Sequence, residues 1–211
     1  MARLPRMRGP GADLTACACG YAIGSIPVGL LVGRAVRGLD VREQGSGSIG
    51  TTNVLRLAGP SAAALTFGLD VAKGAVAVGL ARRLGADRRG AVVAGFAAMI
   101  GHCWPAFARF RGGKGVATGF GAMLAVSPQV AAYPVVGGLA ALAASRTVSV
   151  GSLSAAVSAV AGGTIHARRT GDTAPLQFAA LATALIVVRH APNIGRLLRG
   201  SEPRLAARRR S

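Results

Sequence analysis

The chain is predicted to be an all-α integral membrane protein of seven transmembrane helices, some short or broken, with its motif loops on the cytoplasmic face. Three observations predict this. Hydrophobic residues make up 51% of the 211 and charged residues 15%, where soluble domains carry about 25% charged residues. The apolar residues fall in long runs of Ala, Gly, Val and Leu, a composition that packs closely in lipid. The charge is confined to short breaks between those runs, although the net value is +18. That distribution, with only 4% aromatic residues, argues against a nucleic-acid-binding domain, which needs a basic face and stacking side chains.

The elements follow in order. Residues 1–12 are a basic N-terminal tail, 13–200 the membrane domain and 201–211 a basic C-terminal tail. The first span is 13–36, about 36 Å as a helix. Its Gly20-xxx-Gly24 and Gly29-xxx-Gly33 spacings predict close helix contacts, and Pro27 predicts a kink. A second helix runs from about Val54 to Ala81 past a break at Gly59-Pro60. The third span is 88–103 and the fourth 114–126. The fourth, at about 20 Å, is short of the hydrocarbon thickness. A fifth covers 128–144, a sixth 151–166 and a seventh 174–188. Cys17, Cys19 and Cys103 lack zinc-type spacing and read as buried free thiols. The apolar run after the basic N-terminus is read as an uncleaved first helix rather than a signal peptide.

Span parity gives the orientation. Lys and Arg number four in 34–56, three in 104–114, one in 145–150 and seven in 189–211, fifteen on one side. Nine lie on the other side, and Lys73 is alone inside a span. The excess places the C-terminus in the cytoplasm and the N-terminus outside.

The chemistry is concentrated in the four segments on that richer side. Gly45-Ser46-Gly47-Ser48-Ile49-Gly50-Thr51-Thr52-Asn53-Val54-Leu55-Arg56 is a glycine- and hydroxyl-rich loop entering a helix. Its backbone N–H groups are expected to converge as an anion nest. Its hydroxyls, the Asn53 amide and Arg56 add donors suited to phosphate. A Gly/Ser linker has a similar composition. Gly112-Gly113-Lys114-Gly115 is a second turn of this kind. It is not a nucleotide P-loop, because Gly115 stands where Ser or Thr must hold magnesium. Ser145–Leu153 brings hydroxyls and Arg146, and Arg189–Arg196 brings His190 and Asn193. His102 falls at a span end and His166 on the opposite side. Asp70 and Lys73 share a helical face at i, i+3, and charges inside a span are paired or functional; mutual neutralisation is favoured over a direct substrate role.

The stretches GSIPVGLLVGR, GSGSIGTTNVLR, LDVAKG, GHCWPAFARFRGGKGVATG, SRTVSVGSL and RHAPNIGRLLRG, in that order over residues 24 to about 200, resemble the acyl-phosphate-dependent glycerol-3-phosphate acyltransferase family, PlsY. Two positions depart from its pattern. Ser48 stands where the family usually has Asn, and Val148 where it often has an aromatic. The basic stretch 201–211 has no counterpart in that pattern.

The resemblance implies a multi-pass protein of the bacterial inner membrane. It implies acyl transfer from acyl phosphate to the 1-hydroxyl of glycerol 3-phosphate, giving lysophosphatidic acid and phosphate, with no metal or other cofactor. It also implies a functional link to the enzyme that makes acyl phosphate. Ser46, Arg56, Lys114 and His190 are then the candidate catalytic residues. Gly45, Gly47, Ser48, Thr51, Thr52, Asn53, Gly112, Gly113, Arg146, Ser149, Ser152 and Asn193 are the candidate substrate-binding ones. His190 is either a general base or a donor orienting glycerol 3-phosphate while a substrate phosphate takes the proton, and the resemblance favours the second. No nucleophilic triad is recognisable, so transfer is expected to be direct. A transporter of phosphorylated anions would instead carry its site near the midplane, between repeated halves, and no internal repeat is visible. A purely structural membrane protein would need none of these motifs.

Overall fold

The computed structural model describes residues 10–205, and every regular element among them is helical. Residues 1–9 of the expected N-terminal tail and 206–211 of the C-terminal one lie outside the described residues.

The first span is two helices, α1 (Pro10–Gly24) and α2 (Val28–Arg37). Pro27 makes the break, since it lacks an N–H and fixes its own φ. The Ile26 carbonyl beside it accepts from the Lys73 ammonium at 2.9 Å. Gly20 and Gly24 let α1 lie against α5 (Arg88–Cys103), and a methyl at either would overlap the backbone of Ala94 or Ala98. Gly29 and Gly33 serve a different purpose from the helix contact their spacing predicts. They admit the loop after α2, with Ile49 seated on Gly29 and Val41 on Gly33. The stripe of α1 facing α5 runs through Ala16, Gly20 and Gly24, at i, i+4 spacing. Cys17 and Cys19 lie off it. Cys17 is exposed and Cys19 half-buried, so only Cys103 is the buried thiol expected of all three.

The second apolar stretch is also two helices, α3 (Thr51–Ala58) and α4 (Pro60–Arg83). A residue before proline is barred from the α region, and Gly59 turns the chain with φ 87°. α3 begins earlier than Val54 because Thr51 and Thr52 already form its first turn.

After α5 comes a 3-10 turn at Ala106–Ala108. Then follow α6 (Val116–Val126), α7 (Pro128–Ser145), α8 (Val148–Thr170), α9 (Ala174–Arg189) and α10 (Ala191–Leu198). α7 runs along α8, α1 along α5 and α4 along α6. α6 has only 11 residues. Its last carbonyls, on Ala125 and Val126, accept from the Arg82 guanidinium of α4 at 2.6 and 3.3 Å. Phe178, Met99, Val78, Ala122 and Cys103 are buried together where α4, α5, α6 and α9 meet. α10 was not foreseen. It leaves α9 at 62°, with His190 at the bend.

By length and composition, four stretches can cross a membrane: Asp13–Arg37, Pro60–Arg83, Arg88–Ala108 and Val148–Thr170. The bent pair α9–α10 makes a fifth. The hydrophobic runs predict seven. Of the other two, α6 is short and α7 carries Pro134 inside it. The motif segments converge at one end of the bundle. His166 lies at the far end of α8, where it and Arg88 face Asp172.

Candidate active site

The four motif segments line one cavity of about 960 Å³. The first is organised by a residue expected to face substrate. Asn53 is 1% exposed. Its Oδ1 accepts from Ser46 N–H at 2.9 Å, and its Nδ2 donates to the Val41, Ser48 and Gln44 carbonyls at 2.7, 2.9 and 3.2 Å. The amide is fully used inside the loop, so Asn53 shapes the site rather than serving as a free donor. Part of the loop's backbone is used inside it as well. The N–H groups of Ser46, Gly47 and Gly50 bond to Asn53 Oδ1, the Gln44 carbonyl and Ser48 Oγ respectively. Gly45 and Gly47 hold left-handed φ values of 60° and 68°, where a side chain is strained. The Ser46, Thr51 and Thr52 hydroxyls, Arg56 and the N–H groups of Thr51 and Thr52 at the start of α3 make no hydrogen bond among the described residues and line the cavity. Thr51 Oγ1 is buried and has no hydrogen-bond partner among the described residues.

Asp40, one of two acids in this loop region, is held by Arg42 at 2.6 Å and Arg34 at 3.0 Å. Its hydrogen bonds to Arg42 above all hold its carboxyl well below the usual carboxylate range, against the opposing effect of burial. Arg42 in turn donates to the Ala108 carbonyl at 3.1 Å, and Arg111 donates to the Arg42 carbonyl at 3.2 Å. This network ties the first loop to the second.

The second turn works differently. Gly112 and Gly113 have no positive φ. A methyl at Gly112 would overlap the His102 carbonyl, and one at Gly113 would overlap His102 Nε2. Gly113 N–H donates to the His102 carbonyl at 3.0 Å, and Arg189 Nε donates to the Gly113 carbonyl at 3.1 Å. The Arg189 guanidinium also lies 4.9 Å over the Trp104 ring. Lys114 is thus carried on a turn clamped from α5 and from α9. Burial lowers its pKa to about 8; Arg196, Arg56 and Arg189 add to this, and Glu202 opposes it.

From the third and fourth segments, Ser149 and Ser152 at the start of α8 line the cavity with His190 and Asn193. Ser152 Oγ donates back to the Val148 carbonyl at 2.9 Å. His190 is 1% exposed, and its Nδ1 lies 2.8 Å from the Ile186 carbonyl. A carbonyl only accepts, so Nδ1 carries the proton and Nε2 is the nitrogen available for other contacts. Arg146 is not brought in. It caps α7 with φ 53° and is exposed, so its side chain does not line the cavity.

Six charged or titratable lining residues are not among those expected from the sequence: Asp70, His102, Arg111, Arg189, Arg196 and Glu202. Glu202 accepts from Ser149 Oγ and Asn193 Nδ2, both at 2.6 Å, and from Arg196 Nε at 2.7 Å. Burial, which would raise its pKa, is outweighed by these hydrogen bonds, which hold it below the usual carboxylate value. The available signal was a lone acid in the basic stretch 201–211. The result is a cluster of cations and hydroxyls beside the apolar walls of Phe67, Val116, Val148 and Val188. Such a cavity can hold phosphate at one end and hydrocarbon at the other.

The family model described as glycerol-3-phosphate acyltransferase matches residues 14–200. A glycerol-3-phosphate acyltransferase of Anaeromyxobacter sp. (strain Fw109-5) is 47% identical over 197 residues, covering 91% of this chain and 96% of that one. One from Synechococcus sp. (strain CC9902) is 40% identical over 200 residues, covering 95% and 98%. The fold superposes with a TM-score of 0.84 on a crystal structure of PlsY (YgiH), an integral membrane glycerol 3-phosphate acyltransferase, in its glycerol 3-phosphate form. That chain is 36% identical, and the match covers 93% of this chain and 96% of that one. The lysophosphatidic acid form of PlsY gives a TM-score of 0.82 at 35% identity.

Proposed function

The chain belongs to the glycerol-3-phosphate acyltransferase family, and from that premise we propose that it moves a fatty acyl group from acyl phosphate directly to the 1-hydroxyl of glycerol 3-phosphate. The observation that carries this is the single cavity. It brings Arg56 of α3 and Lys114 of the second glycine turn together beside an apolar wall. Both substrates bring a phosphate, and a site for them must offset the repulsion between the two anions. Arg56, Lys114, Arg189 and Arg196 supply that charge. Ser46, Thr51 and Thr52 supply neutral donors.

In the reaction the glycerol oxygen attacks the acyl carbon. The bond from that carbon to the phosphate oxygen breaks, and inorganic phosphate leaves with the electron pair. The hydroxyl proton passes to a phosphate oxygen of the substrate, while His190 Nε2 and Asn193 orient the glycerol. Phosphate is a good leaving group, so the chemistry asks for electrostatic stabilisation and alignment more than for a strong acid. No acyl-enzyme forms. The protein sits in the bacterial inner membrane, with α6 and α7 completing seven spans. The N-terminus is outside and the motif loops are at the cytoplasmic face, where the enzyme making acyl phosphate supplies the donor.

The experiment is an assay of the purified protein in detergent with palmitoyl phosphate and glycerol 3-phosphate. Phosphate release that requires both substrates, with lysophosphatidic acid as product, is the expected result. Turnover with palmitoyl coenzyme A but not palmitoyl phosphate would overturn the donor assignment.

A further inference from the structure

Beneath the cavity floor lies a cluster of buried titratable side chains that the reaction scheme above does not use. Asp70 is 1%, His102 3% and Lys73 6% exposed. Lys73 Nζ stands 2.9 Å from Asp70 Oδ1 and donates to the Ile26 carbonyl at the α1–α2 break at 2.9 Å. His102 Nδ1 faces the same Asp70 oxygen at 3.4 Å, and neither atom completes a hydrogen bond among the described residues. The other edge of the ring, Nε2, lies against Gly113 so closely that a methyl there would overlap it. The His102 carbonyl accepts the Gly113 N–H at 3.0 Å. Asp70 and His102 both reach the cavity wall.

An ion pair kept only for neutrality would need Asp70 and Lys73 alone. Here an imidazole also stands 3.4 Å from the carboxylate, and its far edge lies against the turn carrying Lys114. Burying charged groups is costly unless they are paired, and the Asp70–Lys73 pair stands fixed beside the imidazole. We propose that Lys73, Asp70 and His102 are a positioning relay for Lys114. In it, Lys73 anchors Asp70 to the broken first span, Asp70 sets the tilt of the His102 ring, and the ring and its carbonyl set the height of the Gly112–Lys114 turn. The group the relay serves is a substrate phosphate, so the inference rests on the reading of Lys114 given above.

A double-mutant cycle in the acyl transfer assay tests it. His102→Ala is expected to lower turnover by about tenfold to a hundredfold, as misplacement by about 1 Å can. In a Lys114→Ala background the same change should cost less than about threefold, because coupled residues are not additive. His102→Asn keeps an amide N–H where Nδ1 faces Asp70, and is expected to recover part of the loss. Asp70→Asn combined with Lys73→Met removes the buried ion pair as a unit and should track His102→Ala. Melting temperatures in detergent monitor folding. If His102→Ala fails to fold, His102→Gln carries the cycle, since it keeps volume without the Nδ1 donor. Equal losses in the two backgrounds, or His102→Asn no better than His102→Ala, would overturn the relay. A wild-type protein without palmitoyl phosphate turnover would instead bring down the functional reading itself.

Discussion

The two glycine-rich turns look alike as text and differ as objects. In the first, Gly45 and Gly47 are glycines because the backbone is left-handed there, wound around the Asn53 amide. In the second, Gly112 and Gly113 have ordinary φ values and are glycines because His102 and the Cys103 carbonyl occupy the space a side chain would need. The lesson is that a glycine motif has at least two physical causes, conformation and clearance. Only the neighbours tell them apart. A further contrast follows. The first turn presents hydroxyls from a self-contained loop, whereas the second presents a lysine held by two helices.

The strongest way to break this comparison is to remove the lysine of the second turn and the arginine of the helix that follows the first. Lys114→Ala and Arg56→Ala are each expected to lower turnover by about a hundredfold or more. Arg56→Lys should recover only part, since an ammonium lacks the bidentate fork. Near-normal turnover in either folded alanine variant would mean that cation has no electrostatic role. The lysine also carries a pH signature. Its pKa is lowered to about 8, chiefly by burial, so its charge is present below that value and lost as pH rises through it. The profile of kcat/KM, which reports the free enzyme, should fall above about pH 8. Lys114→Arg should move that limb beyond the measurable range. A limb unchanged in Lys114→Arg would assign it to another group.

His190 tests the part of the site outside both turns. If it orients glycerol 3-phosphate, His190→Asn should keep more activity than His190→Ala, with the loss mostly in KM for glycerol 3-phosphate. An equal fall in kcat for both, of roughly a hundredfold or more, with loss of an acidic limb, would make it the general base.

A finer test uses the glycines themselves. Gly47→Ala should cost about 1–2 kcal/mol through its left-handed φ, and Gly47→Asn less, because Asn tolerates that region. At Gly113 the order reverses. Ala should lower turnover by about tenfold as the imidazole is pushed aside, and the larger Asn should be worse. Melting curves and kinetics of the four variants decide it, and the same Ala–Asn order at both sites would dissolve the distinction. The smallest effect is expected at Arg146, exposed and outside the cavity. Arg146→Ala should stay within about threefold of wild-type turnover, in keeping with a surface change.

Most of the helical order was legible because hydrophobic runs and Gly-Pro breaks are local signals. The break at Gly59-Pro60, the kink at Pro27 and the shortness of α6 all followed from single residues or run lengths. α10 escaped because eight residues of mixed polarity carry no apolar run. The site was legible as a set of segments, since each motif is rich in glycine, hydroxyls and cations. Side-chain direction was not. Nothing in the composition says that Asn53 turns into its own loop, that Arg146 turns away, or that Glu202 returns from a basic stretch to bind Ser149, Asn193 and Arg196. His102 was set aside as a residue at a span end, although Gly113 is shaped to receive it.

The contact between Lys73 and the Ile26 carbonyl also constrains how this chain can change over generations. Loss of the lysine alone strands a carboxylate and a carbonyl in the interior. Loss of Asp70 alone strands an ammonium. Breaking a buried pair from either side costs about 3–5 kcal/mol, a large share of what a folded protein can lose. Mending the helix at Pro27 withdraws the carbonyl on which the lysine rests. A change at one of these positions that removes its charge therefore calls for a matching change at another.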